Sequence, residues 1–418
     1  MRKPTPQQLR FLDWEMGAFF HFGIRTFYEG HRDWDGLPMP AQGFAPTALD
    51  CDQWIRTIKQ TGMTYAILVC KHHDGFANWP SAHSDYSVRQ TPWKNGQGDV
   101  VQEFVDACRR HDIAVGLYYS PAEQGYHERS PEAHDQYFID QITELLGNYG
   151  KIDYLWFDGC GSEGHKYDTE RIVRTIRGLQ PDILIFNMWD PDTRWVGNEA
   201  GVASIDNSNI VSSLSFSEKT TEKDALGEDM FLPAECDGML RTNWFYSEYD
   251  AHTLRPLQEL LGLYEHSVGR GANLLINIAP DRRGLLPQPD ARRLLEFGAA
   301  LRARYGQPLS AQAQATEAGY ELAFCLPSTD GVAAFDDEPL VNALELAEDL
   351  SDGEAVQQFR VLARGHKLYT PLCLHLGHTI GHKRIVRFPA IRARELVVEV
   401  TQSRRAAKLL PPRAFFVR

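Results

Sequence analysis

The sequence predicts an α/β chain: a (β/α)8-like barrel followed by a small C-terminal β-sandwich. Three observations predict it. Over roughly the first 305 residues, short continuous apolar runs alternate with amphipathic helical segments, the pattern of a parallel sheet covered on both faces. About eight such runs occur, the number that closes a barrel. From about residue 307 the pattern changes to short strand-like runs divided by turn residues, which suits a small antiparallel sandwich. The expected division is therefore 1–305 for the barrel and 306–418 for the sandwich. A doubly wound open sheet is the alternative for the first part. No GxGxxG or P-loop motif follows an early strand, which weakens a nucleotide-binding version of it.

The elements run in order along the chain. MGAFFHFGI (16–24) reads as a strand. Asp50 caps a helix over CDQWIRTIKQTGM (51–63), in which Trp54, Ile55, Ile58 and Met63 fall roughly on one face. TYAILVC (64–70) is the next strand. DVVQEFVDACRRHD (99–112) is an amphipathic helix leading into the strand IAVGLYYS (113–120). EAHDQYFIDQITELLGNYG (132–150) is a helix ended by Gly150. The strand IDYLWFD (152–158), the helix TERIVRTIRGLQ (169–180) and the strand DILIFNM (182–188) come next. MFLPAE (230–235) and ANLLINIA (272–279) are further strands, with the helix TLRPLQELLGLYEHSV (253–268) between them. Beyond 307, YELAFCLP, GVAAFDD, PLCLHLGHTIGHKRIVRF, ELVVEVTQ and RAFFVR supply the strands of the sandwich.

Composition narrows the function. The chain is 43% hydrophobic and 24% charged, values of an ordinary globular protein, and its net charge of −13 argues against a nucleic-acid or anionic-membrane partner. No apolar run of membrane-spanning length occurs, and MRKPTPQQLRFLDW lacks the apolar stretch of a signal peptide. The seven cysteines, at 51, 70, 108, 160, 236, 325 and 373, are odd in number and have no CxxC spacing. A reduced, cytoplasmic chain is the expectation.

In barrels of this kind the reactive groups stand at the C-terminal ends of the strands. Those ends collect polar and aromatic residues here. The first strand ends in His21, with Trp34 in the loop beyond; the second ends in His72, His73 and Asp74; the third in Tyr118 and Tyr119; the fourth in Trp156, Phe157 and Asp158. Each has a plainer reading. His72 and His73 could be a metal pair, but adjacent residues at a strand end diverge and no HxH or HExxH is present, so hydrogen bonding to a ligand is preferred. His21 could be a satisfied core histidine. One of the two tyrosines belongs to the core and the other to a pocket. Asp158, in WFDG after an apolar strand, reads as functional; Glu199, in RWVGNEAG, could be a solvated loop residue. Two carboxylates with hydroxyl-binding histidines and aromatic platforms suggest glycoside hydrolysis.

The motifs FHFGIRTF, KHHDGFANWPSAHSDYSV, GLYYS, LWFDG, RWVGNEAG, PAECDGMLRTNWFY and GANLLINIAPDRRGLLP, in this order from about residue 15 to 300, resemble glycoside hydrolase family 29, the α-L-fucosidases. The C-terminal part resembles that family's β-sandwich more loosely. The resemblance implies a retaining double displacement on terminal α-L-fucosyl groups of oligosaccharides or glycoconjugates. It makes Asp158 the nucleophile and Glu199 the acid/base, with Glu235 of PAECD as the competing acid/base. It places His21, Trp34, His72, His73, Tyr119, Trp156, Arg241 and Trp244 at the sugar, and implies no metal and no cofactor. Two departures stand out. Asp33 precedes Trp34 where relatives often carry Glu, and LRTNWFY replaces IRPGWFY, so the linkage cleaved stays open. A non-catalytic fucose-binding relative, a metal-dependent hydrolase using His72, His73 and Asp158, and an α-L-galactosidase are the alternatives. The oligomeric state is left open.

Overall fold

The computed structural model describes residues 3–30, 37–123, 129–161, 164–215, 223–326 and 337–417. The sheet that positions the site begins with β1 (Met16–Phe20), β2 (Tyr65–Lys71), β3 (Ala114–Tyr119), β4 (Tyr154–Phe157), β5 (Leu184–Phe186) and β6 (Arg194–Trp195). A hairpin of β7 (Ile210–Ser215) and β8 (Lys223–Phe231) intervenes before β9 (Ala234–Met239) and β10 (Asn273–Asn277). Eight of these strands run parallel in the order β5-β4-β3-β2-β1-β10-β9-β6. A lone parallel bridge between Phe186 and Thr193 brings the two edges together, so the sheet is a nearly closed barrel.

Helix α1 (Pro6–Trp14) precedes the barrel, started by a capping box in which Thr5 and Gln8 satisfy each other's backbone N–H. Its Phe11 packs edge-on to Tyr154, and its Trp14 stacks on Tyr65 at 5.3 Å, closing the end of the barrel opposite the site. The covering helices are α2 (Cys51–Thr61), α3 (Val100–Arg110), α4 (Pro131–Asn148), α5 (Thr169–Leu179), α6 (Leu257–His266) and α7 (Gln288–Tyr305). Side-chain oxygens start four of them: Asp50, Asp99, Ser130 and Asp168 each accept from a backbone N–H of the first turn. The strict alternation predicted from sequence fails between β5 and β9. A short loop replaces the helix after β5, and the β7–β8 hairpin replaces the one after β6. The predicted strand over 230–235 is in fact the end of β8 and the start of β9.

The barrel interior is filled by Phe19, Tyr65, Ile67, Val69, Tyr118, Tyr154, Trp156, Leu184, Phe186, Trp195 and Leu275. A larger apolar layer lies between strands and helices. At the C-terminal side come β11 (Ala311–Thr316), β12 (Gly319–Phe324), β13 (Leu340–Leu346), β14 (Val356–Gly365), β15 (Leu368–Gly377), β16 (Arg384–Arg392), β17 (Glu395–Ser403) and β18 (Arg413–Phe415). They form two antiparallel sheets, β11-β12-β17-β14-β15 and β16-β13-β18, around a core that includes Val341, Leu344, Phe359, Val361, Val386, Leu396 and Val398. Of the predicted run GVAAFDD, all but Asp337 lies outside the described residues. No described helix is long and apolar enough to cross a membrane, and all seven cysteines are free thiols.

Candidate active site

A cavity of about 180 Å³ opens at the C-terminal ends of the barrel strands. His21, His72, His73, Trp156, Asp158, Glu199 and Trp244 line it, joined by Phe19, Tyr118, Asn187, Trp195 and Asp237 among others. Residues from several strand ends thus converge on one point, as barrel geometry requires.

β1 turns Phe19 inward, and His21, two residues on, follows it to the rim. The His21 Nδ1 lies 2.7 Å from Asn277 Oδ1. The Asn277 amide nitrogen donates to the carbonyl oxygen of Trp244 at 2.8 Å, which fixes Oδ1 as the acceptor facing His21. The proton therefore sits on Nδ1 and leaves Nε2 as an acceptor. Burial lowers the His21 pKa to about 3, so the ring is neutral at ordinary pH. Burial, with the neighbouring His73 and Arg25, likewise pushes His72 well below its usual range.

The pairing of β2 with β3 slips between Val69 and Lys71. Val69 belongs to the barrel interior and Cys70 to the outer layer; the extra residue re-aims the side chains beyond it, as β-bulges do. Lys71 turns away from the cavity. Its fully buried Nζ donates to Glu123 Oε2 at 2.8 Å and lies 4.3 Å from the centre of the Tyr119 ring. His72 and His73 then face the cavity, and Asp74 ends the excursion by accepting from the Phe76 N–H at 2.8 Å, with Gly75 in the left-handed region at φ +83°.

Asp158 stands one residue beyond β4. Its Oδ2 accepts from the Tyr118 hydroxyl at 2.9 Å and lies 3.4 Å from His73 Nε2; its Oδ1 accepts from the Cys160 N–H at 2.9 Å. Burial opposes the charge, but His73, the Cys160 N–H and the Tyr118 hydroxyl outweigh it and hold the carboxyl below its ordinary pKa. Glu199 is half-buried on the loop after β6. That loop is braced by Asn198, which accepts from the Ala200 N–H and donates to the Val202 carbonyl, both at 3.0 Å.

Asp237 is not among the residues that the sequence motifs single out, yet it reaches the cavity from β9. Trp195 Nε1 donates to its Oδ1 at 2.6 Å. Burial raises its pKa far above the usual value, and the Glu199 carboxylate adds to the rise. The signal is present in PAECD. Glu235 and Asp237 are two apart on one strand, so they share the inner face, and Asp237 is nearer the rim. Ending the strand at 235 hides this.

Three expected residues are placed elsewhere. Tyr119 faces the helix layer, where its hydroxyl donates to Gln141 Oε1 at 2.7 Å; alternation along β3 gives the cavity to Tyr118 instead. Arg241 pairs with Asp250 at 3.0 Å and Asp290 at 2.6 Å, and so ties the loop after β9 to α7. Glu235, the alternative acid/base, is buried beneath the cavity floor, where it accepts from Tyr65 at 2.7 Å, Trp156 Nε1 at 2.9 Å and Tyr154 at 3.3 Å. Asp33 and Trp34 lie outside the described residues.

His72, His73 and Asp158 bring one potential metal-ligand atom each to within 4.8 Å of one another. The Asp158 oxygens already accept from Tyr118 and Cys160 and face His73, which is the environment of a hydrogen-bonded anion.

The family model described as Alpha-L-fucosidase matches residues 2–306. The chain is 33% identical to "Putative alpha-L-fucosidase 1" of Oryza sativa subsp. japonica, over 96% of this chain and 82% of that protein. It is 31% identical to "Alpha-L-fucosidase 1" of Arabidopsis thaliana, over 96% and 85%. Among solved structures, a putative α-L-fucosidase from Bacteroides thetaiotaomicron superimposes with a TM-score of 0.89 at 31% identity, covering 99% of this chain and 97% of that one. A glycoside hydrolase 29 family member from an unknown rumen bacterium gives 0.88 at 31%, covering 100% and 77%.

Proposed function

Because the chain belongs to the α-L-fucosidase family, glycoside hydrolase family 29, we propose that it releases terminal α-L-fucose from oligosaccharides or glycoconjugates by a retaining double displacement. Asp158 attacks the anomeric carbon and forms a fucosyl ester. Glu199 first protonates the departing oxygen and then, ionised, takes a proton from the attacking water. The observation that carries this reading is that the two carboxyls Asp158 and Glu199 line one cavity at the barrel rim. Asp158 is held ionised by His73, Cys160 and Tyr118, as a nucleophile must be. Glu199 lines the same cavity from the loop after β6, the place of a general acid and base beside the nucleophile.

The remaining lining suits a deoxy sugar. Neutral His21 and His72 offer acceptors to hydroxyls, and the ring of Trp244 offers an apolar face to C–H groups and to the C6 methyl, while Trp156, stacked between Tyr118 and Phe186, presents its edge. The small cavity favours one terminal ring over an extended chain. The test is Asp158→Gly on an activated aryl α-L-fucoside. Turnover should fall by several orders of magnitude and return in part with azide, giving the inverted β-fucosyl azide. Hydrolysis near the wild-type rate without azide would remove Asp158 from the mechanism.

A further inference from the structure

His73 touches Asp158 with one ring nitrogen and Ser120 with the other. Ser120 is the residue after β3 and is fully buried. His73 Nδ1 lies 2.6 Å from Ser120 Oγ, and that same Oγ donates to the carbonyl oxygen of Ala122 at 2.6 Å. A serine hydroxyl has one proton, and a carbonyl can only accept. Turning the proton toward His73 would press an oxygen lone pair against the Ala122 carbonyl. The proton therefore belongs to the contact with Ala122, and Oγ is the acceptor for an N–H on His73 Nδ1. A neutral ring protonated there would present a bare lone pair on Nε2 to the ionised Asp158 oxygen 3.4 Å away. A second proton on Nε2 turns that repulsion into a charge-assisted contact.

We propose that Ser120 is a positioning residue: by accepting from Nδ1 it keeps His73 doubly protonated, as the imidazolium partner of Asp158. Among the described residues, His72, His21, Tyr118, Lys71 and Glu123 do not supply this charge balance. His72, whose ring centre is 4.3 Å away, and His21 are neutral through burial. Tyr118 spends its hydroxyl on Asp158. Lys71 and Glu123, on the far side of the strand end, pair with each other at 2.8 Å.

The kinetic consequence rests on the reading of Asp158 as nucleophile, whereas the proton assignment can be read without turnover. The whole chain, labelled with 15N-histidine, is studied by two-bond 1H–15N correlation at pH 7, with His73→Asn to assign the signals. Both His73 nitrogens should fall in the protonated range. In Ser120→Ala, Nδ1 loses its acceptor and His73 should become the neutral Nε2–H tautomer. Losing the imidazolium raises the Asp158 pKa, so the acid limb of kcat/KM should move up by about one pH unit, roughly a tenfold loss below the limb with little change on the plateau. Ser120→Thr, which keeps the hydroxyl, should retain the wild-type limb. A neutral His73 in the wild-type spectrum at pH 7 overturns the proposal even where Ser120→Ala does not fold. So does a Ser120→Ala variant that loses activity equally at every pH with its His73 signals unchanged. Absence of azide rescue in Asp158→Gly, by contrast, overturns the nucleophile and leaves the spectroscopic result standing.

Discussion

Asp158 and Glu235 are carboxyls of one barrel, and their neighbours drive them in opposite directions. Asp158 faces the His73 ring and is pulled down. Among the described residues Glu235 has the neutral donors Tyr65, Trp156 and Tyr154, and burial carries it up to about 7 in spite of them. A carboxyl whose pKa is raised on folding stabilises the fold below its unfolded value of about 4.5 and withdraws that stability as pH climbs through 7. The difference between about 4.5 and 7 corresponds to roughly 3 kcal/mol. Glu235→Gln should therefore gain on the wild type as pH rises from 5 to 9, measured as the difference between their urea midpoints; a constant difference would show that Glu235 does not titrate in this window. Glu199→Ala should behave differently. Substrates with poor leaving groups should slow far more than activated aryl fucosides, azide should rescue the latter with retention, and the alkaline limb should flatten. Should Glu235→Ala show these three signs instead, the acid/base assignment passes to Glu235. Chelator treatment should leave wild-type turnover unchanged; a loss restored by zinc or manganese would turn His72, His73 and Asp158 into a metal site. At this scale sequence conveys residue type and rough position. KHHDGF and LWFDG point to His72, His73 and Asp158, which do meet. Choosing between Tyr118 and Tyr119 requires knowing which face of β3 looks inward, and GLYYS leaves that to the register.

The barrel strands are legible because each is a continuous apolar run ending in polar residues, as in Tyr65–Lys71. Illegible are elements whose form is set by partners distant in sequence. β6 is two residues long and exists through its pairing with β9 at Arg194 and Trp195. The β8–β9 boundary falls at Pro233, which offers no N–H to a ladder but accepts from the Arg194 N–H at 2.9 Å. Missing it places Glu235 at a strand end and leaves Asp237 unseen. The slip in β2 is also invisible, since Lys71 in KHHD looks like a site residue until it is found buried against Glu123, Arg129 and Tyr119. That cluster fastens the end of β2 to the segment after β3, on which Ser120 also lies. Lys71→Ala leaves Glu123 buried with half its counter-charge, and breaking a buried pair costs about 3–5 kcal/mol. Urea unfolding should show a loss of that size, and Glu123→Gln made on the Lys71→Met background should recover part of it, because no unpaired charge is then buried. A Lys71→Ala cost within about 0.5 kcal/mol of zero, the range of ordinary surface changes, would mean the cluster is wet and the bulge holds without it.

Across the whole molecule, the C-terminal sheets are bound to the barrel through the segment that runs from β6 to β7. Glu354, buried just before β14, accepts from Ser208 Oγ at 2.6 Å and from the Asn209 N–H at 3.0 Å. Asn209 in turn accepts from the Ala234 N–H at the start of β9 and donates to the Gly271 carbonyl beside β10. Thr379 Oγ1 donates to Asn207 O at 2.6 Å, Arg384 reaches the Ile205 carbonyl at 3.1 Å, and the Ile385 N–H donates to Gly269 O at 2.8 Å. These last three bonds, with those of Glu354, cross from one core to the other. The strand that carries Asp237 thus begins at a residue fixed, through Asn209, by a carboxylate of the C-terminal part. Glu354→Ala strips the acceptor from the buried Asn209 N–H and from the half-buried Ser208 hydroxyl, at about 1–3 kcal/mol for the buried group left unpaired. Because the lost bonds join the two cores, scanning calorimetry should show one transition in both wild type and variant, shifted down as a whole. Glu354→Gln, which keeps one acceptor oxygen, should shift it less. Two resolved transitions, of which only the one belonging to the C-terminal sheets moves, would mean that the barrel stands without this support.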